Sequence, residues 1–166
     1  KKSYLDDVAR AIVDAHRPGT RTLAFFNVVA RSVDATKAIR KLLAGEGPEV
    51  VLVHSRFRPG DRQDHLDLAV ADVDPAGPGR IVVTTQVMEA GVDITAEALF
   101  TEVAPWASIV QRAGRCNRDG RATEPRLLAA DPQSAAPYED DDVAASVSLL
   151  AELAGQSLST EAMAAM

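Results

Sequence analysis

Three side chains near residue 115 have the types and spacing to meet an anion. Gln111, Arg115 and Arg118 stand at i, i+4 and i+7. At about 100° per residue a helix would bring them to one face. Trp106, Ile109, Val110 and Ala113 follow i, i+3, i+4 and i+7 and would form an apolar stripe on roughly the opposite face. Gly114, beside the polar face, leaves room for close approach. A guanidinium is planar, always charged and forked, which suits phosphate oxygens. The helix alone leaves two readings open, a phosphate-facing surface and a solvated arginine face.

Such a helix needs a scaffold, and the hydrophobic pattern describes one. Leu5, Val8, Ala9 and Ile12 predict a helix over 3–15, broken by His16-Arg17-Pro18-Gly19-Thr20. The apolar run 22–26 predicts a first strand, ending at Asn27. A helix over 30–43 follows, closed by Gly45-Glu46-Gly47-Pro48. Residues 50–53 predict a second strand, leading into His54-Ser55-Arg56-Phe57-Arg58, a polar helix over about 61–72 and a Pro/Gly loop over 74–79. Residues 81–85 predict a third strand that runs into Gln86-Val87-Met88-Glu89-Ala90-Gly91-Val92-Asp93. Residues 99–103 predict a fourth. Pro105 suits the first position of the arginine helix, which Asp119-Gly120 would end. Residues 125–130 predict a fifth strand, 138–154 an acidic helix, and the remainder a frayed tail.

Apolar rather than alternating strands, interleaved with helices, predict an α/β fold: a parallel sheet with helices on both faces, three layers deep. In such sheets ligands sit at the carboxyl ends of the strands. Asn27, His54 to Arg58, Thr84 to Asp93 and the arginine helix all fall at strand ends, which favours the phosphate reading.

A length of 166 residues suits one domain, and 46% hydrophobic with 25% charged residues suits a folded core. No apolar run approaches the ~18 residues of a membrane span, and the first seven residues do not make a signal peptide. The chain does not begin with Met and reads as a piece of something longer. The single Cys116 excludes an internal disulfide and a multi-cysteine zinc site, and suits a reducing cytoplasm. His16, His54 and His65 lack metal-ligand spacing. The net charge of −6 is carried by Glu139, Asp140, Asp141, Asp142, Glu152 and Glu161, with no Lys or Arg after residue 136. The rest of the chain is balanced. Between 111 and 126, Arg112, Arg115, Arg118, Arg121 and Arg126 outnumber Asp119 and Glu124, a local basic patch compatible with phosphate ligands.

Other chemistry is missing. The sequence has no Gly-x-x-x-x-Gly-Lys-[Ser/Thr], no Gly-x-Gly-x-x-Gly, no Ser-His-Asp or Cys-His set and no paired carboxylates after a strand. Arginines that could stabilise a transferring phosphoryl group stand without a loop for the nucleotide or an acid for magnesium. That is half of an ATP site.

Gln111-x-x-Gly114-Arg115-x-x-Arg118 resembles the last motif of superfamily 2 helicases, on their second RecA-like lobe, and Thr84-Thr85-Gln86-x-x-Glu89-x-Gly91-x-Asp93 resembles the motif before it. With Phe26-Asn27-Val28-Val29 and His54-Ser55-Arg56-Phe57, the four segments resemble the CRISPR-associated helicase–nuclease of type I interference systems, over about residues 22–131. The resemblance implies a RecA-like lobe at 22–131, with residues 1–21 an N-terminal helix and lead-in and 132–166 an acidic helix and tail. It implies that ATP and Mg2+ are held mainly by a first RecA-like lobe that this chain lacks, and that neither is bound by this chain alone. Arg115 and Arg118 would be arginine fingers with Gln111 beside them, and Gly91 and Asp93 would approach the nucleotide. Asn27, Ser55, Arg56, Arg58, Thr84 and Thr85 would contact single-stranded DNA. Glu89 would organise the lobe by a hydrogen bond, and Arg112 would make a structural or inter-lobe salt bridge. The whole protein would move 3′ to 5′, recruited by a crRNA-guided surveillance complex, with an HD nuclease domain elsewhere. Ile94-Thr95-Ala96-Glu97 departs from the acidic or aromatic pair often found after the Asp. Two alternatives stand beside this: the equivalent lobe of another superfamily 2 DNA or RNA helicase, and a non-catalytic RecA-like docking module.

Overall fold

The computed structural model describes residues 3–157, 159 and 163–166. Part of the expected C-terminal tail lies outside them. Helix α1 spans Tyr4–Ala15 and starts in a capping box, the Ser3 hydroxyl accepting from the Asp6 amide. It is followed by β1 (Arg21–Phe25), α2 (Val29–Leu43), β2 (Glu49–Val53), α3 (Pro59–Val70) and β3 (Arg80–Thr84). A 3-10 turn, Gln86–Met88, leads to β4 (Ala98–Glu102), α4 (Trp106–Ala113), β5 (Arg126–Ala130) and α5 (Asp140–Leu153). Among the described residues no helix is long and apolar enough to cross a membrane.

The strands lie in the order β2-β3-β1-β4-β5, and all four pairings are parallel. Successive side chains on a strand point to opposite faces, so the apolar runs build two cores. Ala24, Ile81, Val83 and Phe100 pack with Val8, Ala9 and Ile12 of α1 and Ala35 and Ile39 of α2. Leu23, Phe25, Val51, Val53, Val82 and Leu99 pack with Ala69 of α3 and Met88. The three layers expected from the sequence are present.

Parallel strands bring every carboxyl end to one edge. From β1 the chain crosses by way of α2 toward β2; from β4 it turns the other way, through α4, to β5. The Thr101 hydroxyl meets Arg112 of α4 on one face, and the Glu102 carboxylate meets Arg31 of α2 on the other. The β1–β4 junction is therefore the point where the winding reverses, which in open α/β sheets is where ligands sit.

Candidate functional site

The arginine helix is shorter than the spacing predicts. α4 begins at Trp106, with Pro105 as its cap, and ends at Ala113. Beyond Gly114 the chain is captured by a distant segment: the Ala96 amide donates to the Arg115 carbonyl (2.9 Å), and the Asn117 amide donates to the Ala96 carbonyl (2.8 Å). Asn117 takes a left-handed φ of 49°, a conformation that asparagine tolerates better than most residues. Gln111 therefore stays exposed on α4, while Arg115 and Arg118 leave its face. The shared helical face is corrected to a turn.

That turn still joins the two arginines to the loop after β3. Arg115 is 6% exposed, and its Nη2 donates to the Glu89 carbonyl at 2.9 Å. Arg118 Nε pairs with Asp93 Oδ1 at 3.3 Å, both side chains reaching solvent. Gly91, between Glu89 and Asp93, is exposed at φ 72°, with open space where a Cβ would stand. Burial first, and then the charge of Arg118, hold the Arg115 guanidinium below the usual arginine range, with Asp93 acting the other way. Arg115 Nε is buried and has no hydrogen-bond partner. An unspent donor on a buried cation, beside a second cation, fits an incoming phosphate oxygen. Among the described residues no group of three or more His, Cys, Asp or Glu is placed to hold a metal ion.

Arg112 points inward and is fully buried, its ring of acceptors drawn from every strand end at the β1–β4 junction. Nε and Nη2 both donate to Glu89 Oε1, at 2.8 and 2.7 Å. Nη1 donates to Asn27 Oδ1 (3.1 Å), Thr101 Oγ1 (2.8 Å) and the Glu102 carbonyl (3.0 Å). Nη2 also reaches the Tyr138 hydroxyl at 3.3 Å, and the guanidinium lies 5.5 Å from the Phe25 ring centroid. Arg112 is a structural cation and has no exposed atom for an inter-lobe bridge. Glu89 also accepts from Ser108 at 3.3 Å.

The residues expected at DNA divide in two. Ser55, Arg56 and Arg58 are exposed on the loop after β2. Beneath them His54 stacks on Phe57 (centroids 4.1 Å, 9° between planes), Phe57 lies 4.4 Å from His65, and His65 Nδ1 meets the Leu52 carbonyl at 2.8 Å. Asn27, Thr84 and Thr85 are buried instead. Asn27 Nδ2 donates to the Val103 carbonyl, and the Thr84 hydroxyl donates to the Val53 carbonyl. Asn27 and Thr84 thus tie strand ends together, and Thr85 is buried with them rather than facing solvent, a correction that follows from their place inside the sheet edge.

Two participants were missed. Glu102 is fully buried, paired in bidentate fashion with Arg31 (2.6 and 2.9 Å) and accepting from the Asn27 amide (2.7 Å). A carboxylate closing an apolar strand was the available signal. Tyr138 lies in a stretch that matched no motif, and nothing local marked it.

Comparison with known proteins gives the family and the fold. The family model for the C-terminal part of the CRISPR-associated nuclease/helicase Cas3 matches residues 18–121. The CRISPR-associated nuclease/helicase Cas3 of Haloferax volcanii is 32% identical over 108 residues, 64% of this chain and 11% of that protein. The structure of T. fusca Cas3 with ATP superposes with a TM-score of 0.72 at 21% identity, covering 96% of this chain and 21% of that one. A chain in a structure of a CRISPR RNA-guided surveillance complex, pre-nicking, gives 0.64 at 20% identity over 88% of this chain and 20% of that chain. This chain thus spans about a tenth to a fifth of the length of these relatives. Because the matched stretch runs from the turn before β1 to just past Arg118, and so takes in all four motif segments, the chain belongs to the Cas3 C-terminal family, as a RecA-like superfamily 2 helicase lobe.

Proposed function

We propose that this chain is the second motor lobe of an ATP-dependent 3′–5′ DNA helicase acting in CRISPR interference, and that it supplies arginine fingers to an inter-lobe ATP site. The observation that carries the reading is Arg115: a buried guanidinium with one nitrogen unpaired, set beside Arg118. ATP, when bound, supplies the phosphoryl group that is transferred to water. Arg115 and Arg118 would offer it positive charge from a fixed position, with Gln111 at the rim. Gly91, which puts no side chain in the way, and Asp93 would meet the nucleotide from the adjoining loop. Asp93, largely solvated, can release Arg118 to a phosphate at little cost. Magnesium is left to the first lobe.

Single-stranded DNA is proposed to cross the sheet edge at Ser55, Arg56 and Arg58, whose arginines suit backbone phosphates. Asn27, Thr84 and Thr85 support that edge from within. The first RecA-like lobe, an HD nuclease domain and a crRNA-guided surveillance complex are the proposed partners. In the full-length protein, Arg115→Ala or Arg118→Ala should lower ATP hydrolysis roughly 10³-fold while circular dichroism stays unchanged. Undiminished turnover sinks the finger assignment and favours a docking module. The isolated chain should hydrolyse no ATP.

A further inference from the structure

Tyr138 adds a link between two segments that also meet through Arg112 and Ser108 on the Glu89 carboxylate, Arg115 on the Glu89 carbonyl, and Arg118 on Asp93. Its hydroxyl lies 3.0 Å from Gln86 Nε2, at the start of the loop that carries Glu89, Gly91 and Asp93. It lies 3.3 Å from Arg112 Nη2, on the helix that leads to Arg115 and Arg118. A guanidinium can only donate, and Gln86 Nε2 also donates to the Asn27 carbonyl at 2.8 Å, which fixes which end of the amide faces the phenol. The phenol oxygen therefore accepts twice. Tyr138 also packs against two apolar clusters, one of Val103, Ala135 and Val143 and one that includes Ala104 and Ile109, with Leu150 bordering both. Residue 138 lies outside the stretch 18–121 that carries the family match.

Filling the space between α4 and α5 requires only the ring. The hydroxyl does something more: it holds the loop after β3 in register with the arginine helix. We infer that Tyr138 is a positioning residue for ATP hydrolysis, acting through Gln86 and Arg112 to keep Arg115 and Arg118 aimed at the phosphate. The inference rests on the ATP-site reading above. It gives α5 and the segment before it a part in the chemistry, since any shift of α5 would move the phenol.

The test is DNA-stimulated ATP hydrolysis by the full-length protein, with Tyr138→Phe, Gln86→Leu, the double variant and Arg115→Ala compared side by side. Tyr138→Phe is expected to lower kcat about fivefold, with KM for ATP within roughly twofold and the thermal midpoint within about 2 °C. The double variant should lose little more than the worse single one, because both act through one contact. Parental kcat in Tyr138→Phe, with Arg115→Ala inactive, overturns the assignment of Tyr138 and leaves the ATP site standing. A fall in midpoint with unchanged kcat shows a merely structural hydroxyl and overturns it equally, as do fully additive losses. An active Arg115→Ala overturns the ATP-site reading and the Tyr138 inference with it.

Discussion

Arg112 and Arg115 are both buried guanidiniums, yet their surroundings differ in kind. Arg112 has five acceptors, from Glu89, Asn27, Thr101, Glu102 and Tyr138. Arg115 has one backbone carbonyl and a free Nε. Burying a charge is tolerable when it is paired and hydrogen-bonded, so Arg112 is at rest in the structure and Arg115 is not. Removing the partner of a buried charge costs more than the pair contributes. Glu89→Ala should therefore destabilise the purified chain by about 3 kcal/mol in urea unfolding. Glu89→Gln, which keeps an acceptor and loses the charge, should cost less. Equal stability of Glu89→Ala and the parent would mean that water or a neighbour replaces the carboxylate.

At the level of elements, the pH response is set where α1 meets the sheet. His16, just past α1, holds the Thr22 hydroxyl on Nδ1 (2.9 Å) and the Pro78 carbonyl on Nε2 (2.9 Å). The carbonyl can only accept, so Nε2 carries the hydrogen. Burial lowers the affinity of His16 for a proton, the Pro78 bond opposing it, and burial is also the main cause of the lowered value at His54. A histidine whose folded value is depressed adds stability above its unfolded pKa, and that stability fades as pH falls through it. Thermal midpoints should hold above about pH 6.5 and decline below it, with His16→Gln flattening part of the decline. The same level shows what the sequence could reveal. All five strands and five helices were legible: the strands as short apolar runs, α1, α2 and α4 by an apolar stripe, and the polar α3 and acidic α5 by the Pro and Gly breaks around them. The end of α4 was not. Ala96 sits 19 residues before Arg115, and its backbone pairing with that segment overrides a local spacing of i, i+4, i+7. The inward turn of Arg112 was equally hidden, since its acceptors come from four separate segments. The buried places of Asn27 and Thr84 follow from strand pairing, which periodicity alone does not show.

Over the whole molecule, charge is sorted by position. The acidic start of α5 (Asp140, Asp141, Asp142) suits a helix N-terminus, and Arg56 and Arg58 stand on an exposed loop propped by the His54–Phe57–His65 stack. If that loop follows a DNA backbone, Arg56→Ala and Arg58→Ala in the full-length protein should each weaken binding similarly across sequences and reduce the slope of log affinity against log salt by about 1. An unchanged slope in both would move the DNA path elsewhere. The guanidinium of Arg112 has a consequence on this scale too. One cation fastens the ends of β1 and β4, the loop after β3 and α4 to a single point, so none of them can shift without breaking a buried bond. The lobe then behaves as a jaw of fixed shape. In the motor proposed above, such a jaw would swing as one piece, and the effort of each cycle would go into turning it rather than bending it.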